Sequence, residues 1–260
     1  MPTLRLEEIQ HYRTEGYVIP GYRLPGTRLA MLQDALDTLL RDNPDTRPEH
    51  LISVHVDGPN CEGVTGSKIF LDLACDPDIL DLVEAAIGPD IVLWGCHMFC
   101  KPAGDGMEVP WHQDGHYWPI RPLATCTVWI ALESSDPGNG CLRVIPGSHR
   151  GERLFQHRDQ AGAALSQRLA PDAFDEDKAV DLTLDPGQMS LHDVYLIHGS
   201  RPNRSDRRRA GLAIRYMPAS SLFDRTWSSP DQSGLTVDFR SRPLWLLRGE
   251  NRAGTDGLIA

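Results

Sequence analysis

The sequence has no apolar run approaching the roughly 20 residues needed to span a bilayer. It has no Cys-x-x-Cys pair and no surplus of positive charge. Each absence excludes something. Without the long apolar run, no membrane-spanning helix is expected. Without paired cysteines, a zinc ribbon or a dithiol redox motif has no support. Cys61, Cys75, Cys96, Cys100, Cys126 and Cys141 are expected to be reduced and partly buried, as in a cytosolic protein. The formal net charge is −10, with a pI near 5.4, which argues against a nucleic-acid partner. Met1-Pro2-Thr3-Leu4-Arg5 lacks the apolar core of a secretory signal, so a cytoplasmic location is expected. No internal repeat, low-complexity segment or convincing domain boundary stands out. The 260 residues, 40% hydrophobic and 24% charged, suit one domain with a sizeable core.

The first ninety residues read as helical. Leu4, Leu6, Ile9 and Tyr12 recur at helical spacing over 4–15. Glu15-Gly16-Tyr17-Val18-Ile19-Pro20 reads as a helix stop and a short strand. A second helix is expected over 26–41, broken by Asp42-Asn43-Pro44-Asp45, and a third over 77–87, ended by Gly88-Pro89. Residues 44–66 read as irregular. From Ile91 the pattern changes to short apolar runs divided by turn signals: 91–99, 125–132, 141–145, 181–184, 189–192, 195–198 and 210–217. Residues 150–180 read as a polar, partly helical insertion. Many short strands behind a helical segment predict a mainly β fold with flanking helices, a sandwich or jelly roll. The β core is expected over 91–217, with a C-terminal segment over 218–260.

The chemistry concentrates in Trp111-His112-Gln113-Asp114-Gly115-His116-Tyr117-Trp118. On a strand, residues two apart share a face, so His112 and Asp114 project an imidazole and a carboxylate together. That is two-thirds of the 2-His-1-carboxylate triad that binds non-haem Fe(II) and leaves coordination positions open. His198, in Leu196-Ile197-His198-Gly199-Ser200, is the candidate third ligand.

Five separated blocks occur in order: His112-x-Asp114; Arg121-Pro122; Trp129; Asn139 to His149; and His198-Gly199-Ser200-Arg201-Pro202-Asn203-Arg204-Ser205 with Arg209. Over about 68–217 this set resembles the phytanoyl-CoA dioxygenase family of Fe(II)/2-oxoglutarate oxygenases. The resemblance implies a double-stranded β-helix, with His112, Asp114 and His198 as Fe(II) ligands. It implies an enzyme that hydroxylates a small organic molecule with O2 and 2-oxoglutarate, releasing succinate and CO2. Arg209, eleven residues after His198, takes the place of the family's cosubstrate arginine, whose guanidinium fork pairs a carboxylate. Ser200 is expected to assist it, and Trp129 to line the cosubstrate pocket. Lys68 and His97 match two further positions that approach 2-oxoglutarate. Arg208 is the alternative to Arg209, one residue away and so on the opposite face. Halogenating relatives lack the carboxylate ligand, so Asp114 favours hydroxylation.

Phytanoyl-CoA itself is disfavoured as substrate, because the net charge of −10 does not suit nucleotide phosphates. Phe223, Arg225, Trp227, Phe239 and Arg242 are candidate substrate contacts. His116 is a candidate substrate contact or a strand-end residue. His149 is expected to tether a turn, and His192 to support a strand with a possible pocket role. His11, His50, His55 and His157 are expected to be solvated. A monomer or weak oligomer is expected. Two rivals remain: a cupin-like isomerase or metal-dependent ligand-binding protein, and a structural metal site. Closed zinc sites usually include cysteine, and none is near His112 or His198 in sequence.

Overall fold

The structure, a computed structural model, describes residues 3–227 and 239–260. Its core is a double-stranded β-helix made of two sheets, antiparallel but for one edge pair, with a cavity between them. The larger, eight-stranded sheet has the order Tyr17–Val18, Met189–Asp193, Cys126–Ala131, Arg209–Pro218, Ile91–Lys101, Leu244–Arg248, Leu258–Ile259, with Leu51–Ile52 also paired to Ile91–Lys101. The smaller, four-stranded sheet runs Val180–Leu182, Leu142–Val144, His198–Ser200, Val109–His112.

Alternation along Arg209–Pro218 shows how sequence divides the two faces. Ala210, Leu212, Ile214 and Tyr216 join the main hydrophobic core. Arg209, Ala213 and Arg215, on the opposite parity, line the cavity. The outer face is covered by helices. α2 (Gly26–Asp42) contributes Leu32, Leu36 and Leu39; α3 (Lys68–Ala74) contributes Phe70 and Leu73; α4 (Pro77–Ile87) contributes Ile79, Leu82 and Val83. The Asp76 carboxylate caps α4 by accepting from Asp78 N–H at 2.8 Å, with Pro77 in the first turn. α1 (Leu6–Glu15) ends at Gly16, which has a φ of 82°. A Cβ there would lie 2.5 Å from His149 Nδ1, so only glycine both turns the chain and admits the neighbouring ring.

Several expectations need correction. Residues 150–180 hold no α-helix; they form a two-stranded ribbon (His157–Asp159 with Gln167–Leu169) and two short 3-10 turns. This insertion packs Phe155 and Phe174 with Trp111 and Ile197 of the smaller sheet. The strand expected over 195–198 is His198–Ser200 instead, because Asp193 folds 194–196 into a turn, accepting from Tyr195 N–H and Leu196 N–H. The 44–66 segment is largely irregular, with short pairs and one 3-10 turn. α3 was not expected: at seven residues it is too short to show a clear helical period. Of the candidate C-terminal segment, residues 228–238 lie outside the described residues. No helix among the described residues is long and apolar enough to cross a membrane.

One irregularity matters for the cavity. Between Ile91–Lys101 and Arg209–Pro218 the register skips Trp94: Gly95 pairs with Arg215, but Leu93 pairs with Tyr216. This bulge exchanges the parity of the inward side chains. His97 and Phe99 face inward beyond it, whereas Val92 and Trp94 pack with Trp118 and Met217 before it.

Tyr216, fully buried, donates its hydroxyl to the Ala74 carbonyl at 2.8 Å and so ties the central strand to α3. Tyr216→Phe strands that carbonyl and is expected to destabilise the fold by about 1–3 kcal/mol. Urea denaturation measures this; an unchanged midpoint would show that the link carries no stability.

Candidate active site

His112 closes the strand Val109–His112, and His198 opens His198–Ser200; the two are paired across the smaller sheet. Their ring centroids are 4.2 Å apart. Asp114 is not on the strand as expected. It is the first residue of a 3-10 turn, Asp114–His116, that follows Gln113. The turn still returns its carboxylate to the histidines: Oδ1 lies 3.5 Å from His112 Nε2 and 3.9 Å from His198 Nε2. All three residues are buried.

The imidazoles suit a metal. His112 Nδ1 is 2.8 Å from the Pro110 carbonyl and His198 Nδ1 is 2.9 Å from the Leu196 carbonyl. A carbonyl only accepts, so Nδ1 carries the proton in each ring and Nε2 presents its lone pair. Burial, followed by the neighbouring His112, pushes the His198 pKa well down, which keeps the ring neutral. Burial alone raises the Asp114 pKa, but His112 and His192, then His198 and Arg215, outweigh it and hold the carboxyl well below the usual range. One donor atom from each of His112, Asp114 and His198 lies within 4.8 Å of the others. Two neutral imidazoles and one carboxylate fit a divalent iron with open positions.

The triad opens on a cavity between the sheets. Arg209, only 2% exposed, lines it with its guanidinium 5.3 Å from the Trp129 ring. Its Nε and Nη2 have no hydrogen-bond partner. Burial lowers its pKa to about 10, so it stays charged at neutral pH. Ser200 and Trp129 line the same cavity. Arg208 points to the other side, paired with Glu133 and Asp37, as the strand alternation requires. A Cβ on Gly211 would lie 1.9 Å from the Trp129 ring, so glycine there makes room for the indole.

Two expected residues are not brought in. Lys68 begins α3 with its side chain exposed and paired to Asp72; the cavity lies on the far side of the larger sheet from the helices. His97 faces inward but does not line the cavity. Its Nε2 is held 2.8 Å from the Glu49 carbonyl, and its ring stacks on Phe99, which does line it.

Other residues gain places. Arg215, unremarked in the sequence, lines the cavity, as do Thr127 and His192. His192 Nε2 lies 3.7 Å from Asp114 Oδ2, and neither of its ring nitrogens has a hydrogen-bond partner. Gln113, fully buried between His112 and Asp114 in sequence, donates to the Arg153 and Tyr195 carbonyls and accepts from Phe155 N–H. It thereby fixes the corner from which His112 and Asp114 converge. His157 and His55, expected to be solvated, are buried: His157 Nε2 accepts from Gln113 N–H, and His55 packs against Trp245. His116 bonds Gln167 at 2.8 Å and stacks on His157, and His149 tethers the Arg13 carbonyl. Among the candidate contacts, Phe223 and Phe239 pack near Trp94, Arg242 pairs with Glu62, and Arg225 donates to the Arg240 and Arg242 carbonyls.

With this site in view, the comparisons assign a class. Residues 12–211 match the model of the phytanoyl-CoA dioxygenase family, and the chain belongs to that family. It is 33% identical to human peroxisomal phytanoyl-CoA dioxygenase over 150 residues, 55% of this chain and 44% of that one. Ectoine dioxygenase of Sphingopyxis alaskensis is 26% identical over 239 residues, 81% of this chain and 75% of its own. The solved structure of apo ThoJ, a non-heme monooxygenase, superposes with a TM-score of 0.73 at 26% identity, covering 95% of this chain and 85% of ThoJ. The chain spans about half the length of the phytanoyl-CoA dioxygenases it matches.

Behind the cavity, Lys101 is fully buried and donates to the Ser200 and Arg201 carbonyls. Burial, reinforced by Arg209, pushes its pKa down from 10.5 to about 6. Between those values the unfolded chain holds a proton that the folded chain lacks, so this group makes stability rise with pH over that window and flatten below about 6. Lys101→Met removes the contribution. Urea denaturation from pH 6 to 9 is expected to give a shallower rise for the variant, by close to one proton; equal slopes would show that Lys101 stays charged.

Proposed function

We propose that the protein is an Fe(II)- and 2-oxoglutarate-dependent dioxygenase that hydroxylates a small organic molecule and releases succinate and CO2. The observation that carries this is the pairing of the triad with Arg209 in one cavity. A metal site alone needs no second, unpaired cation beside it. An Fe(II) site that consumes a dianionic 2-oxo acid does.

His112, Asp114 and His198 would hold the metal through two neutral nitrogens and one carboxylate oxygen. Bound Fe(II) supplies the oxidising chemistry that couples O2 to decarboxylation of the cosubstrate. The remaining work belongs to the chain. Arg209 receives the far carboxylate of 2-oxoglutarate, supplying the acceptor its Nε and Nη2 lack. Ser200 adds a hydroxyl donor, and Trp129 holds the guanidinium plane. The apolar walls Phe99, Val109 and Leu142 exclude water, which strengthens each charge contact. Asp114 would supply the carboxylate ligand that halogenating relatives lack, which favours hydroxylation. Lys68 has no part in this arrangement, and His97 acts only by supporting Phe99.

A cupin-like isomerase or a structural metal protein would leave Arg209 unexplained. The six unpaired cysteines support a reducing, cytoplasmic setting, and the net charge of −10 supports a small-molecule substrate over nucleic acid. We take the protein to be a monomer or weak oligomer.

Titration of 2-oxoglutarate into Fe(II)-loaded, oxygen-free protein tests the reading. Arg209→Ala leaves a buried carboxylate unpaired and is expected to cost about 3–5 kcal/mol, a loss of roughly a hundredfold to several thousandfold in affinity. Arg209→Lys recovers part, lacking the planar fork. Arg208→Ala binds like the wild type, and Asp114→Ala loses metal and hydroxylation together. Impairment of Arg208→Ala alone would move the role one residue; 2-oxoglutarate binding untouched by either arginine change would remove the cosubstrate from this site.

A further inference from the structure

The inward face of the central strand carries a second guanidinium. Reading every other residue from Arg209 gives Arg209, Gly211, Ala213 and Arg215, two cations separated by the two smallest side chains. Six residues of strand place their Cα atoms about 20 Å apart. Arg215 repeats the surroundings of Arg209. It lies over aromatic rings, 5.2 Å from the Trp118 centroid and 5.7 Å from that of Trp94. It is less buried than Arg209, of intermediate exposure, and lines the cavity. Its Nε has no hydrogen-bond partner, and no carboxylate of the described residues is within ion-pair distance of it. Trp94 Nε1, in one of the rings beneath it, is another buried donor without an acceptor. The neighbouring Arg242 has its charge matched by buried Glu62.

The cosubstrate cannot supply what Arg215 lacks. The far carboxylate of a five-carbon diacid that also reaches the metal is taken by Arg209, so it does not also serve Arg215. Charge leads to the same result. A divalent metal and Arg209 together cancel the two charges of 2-oxoglutarate and that of Asp114. Arg215 is then left over, a partly buried cation whose Nε is unpaired, which favours the arrival of an anion.

We propose that Arg215 receives an anionic group of the primary substrate, so that the enzyme acts on small organic acids whose apolar body packs against the cavity walls Phe99, Val109 and Leu142. The assignment rests on the metal and 2-oxoglutarate reading of the cavity. Arg215 is a binding and specificity residue: it fixes the acid group and so presents a chosen carbon to the metal. A guanidinium fork suits a planar carboxylate, which it holds bidentately. The bulge at Trp94 serves the same end, because it turns that indole inward beside Arg215.

The test uses the full chain loaded with Fe(II) under nitrogen, with and without 2-oxoglutarate. Hexanoate, octanoate and 3-phenylpropanoate are titrated against their primary amides, read by calorimetry and by tryptophan fluorescence. At least one acid is expected to bind tenfold or more tightly than its amide in the wild type. Arg215→Met is expected to bring that ratio within threefold of unity while metal and 2-oxoglutarate affinities stay within threefold. Arg215→Lys, which keeps the charge and guards against a folding defect in the methionine variant, is expected to retain part of the preference. The proposal fails if no acid outbinds its amide, or if the preference survives in Arg215→Met. A tenfold loss of metal affinity in Arg215→Met with the preference intact would instead assign Arg215 to the support of Asp114. Wild type that shows the acid preference but does not bind 2-oxoglutarate would overturn the cosubstrate reading and leave the anion site standing.

Discussion

Arg209 sits inside the barrel with two of its guanidinium nitrogens unpaired, and a buried charge without a partner costs several kcal/mol. The fold tolerates that cost because the rest of the strand is secured elsewhere. Arg209–Pro218 pairs on both sides, with Ile91–Lys101 and with Cys126–Ala131, and its outward residues lie in the helix-covered core. One face of the strand holds the fold and the other holds the unmet charge. The triad obeys the same constraint in reverse: Asp114 is a buried anion whose surroundings of imidazole and guanidinium groups keep it ionised. On the proposed reading, the partners of these interior charges are the metal and the cosubstrate.

Much of this was legible from residue order alone. The four-residue reach of a helix and the two-residue alternation of a strand located α1, α2, α4 and most of the core strands, because those periods are written directly in the apolar positions. The triad was legible because histidine and aspartate two apart, with a distant histidine before a Ser-Arg-Pro segment, form an ordered set. Arg209 was separable from Arg208 by parity, since adjacent residues on a strand face opposite ways, and the structure buries the first and pairs the second outside.

What was not legible depends on tertiary contacts. His112 and Asp114 converge through a turn rather than along a strand, and that turn is held by Gln113 reaching the Arg153 and Tyr195 carbonyls, groups far away in sequence. Lys68 was carried in by its position in the chain, but a lysine at the start of an outer helix cannot cross the sheet to the cavity. His97 has the correct face; the Glu49 carbonyl claims its Nε2 and Phe99 stands between it and the open space. The bulge at Trp94 leaves no periodic signature, since a skipped residue looks like any other until the partner strand is known. Arg215 was passed over because in a run of alternating residues it counts as one more inward position, and only packing shows that its Nε is unpaired and that the anion it faces is Asp114, a candidate metal ligand.

The two ends of the cavity are under different constraints. At the Arg209 end, Gly211 is held to glycine by contact with the Trp129 ring, and Trp129 in turn supports the guanidinium, so the three residues can change only together. At the Arg215 end, the surrounding groups come from separate segments: Trp94 from the bulge, Trp118 from just after the Asp114–His116 turn, and the Glu62–Arg242 pair from two irregular stretches. The Glu62–Arg242 pair and Trp118 lie outside the helix-covered core, whereas Trp94 stands on a strand whose Leu93, Cys96 and Met98 belong to it. A family with one cosubstrate and many substrates needs that asymmetry. In this chain it follows from which parts of the interior are built on paired strands and which on loops and bulges.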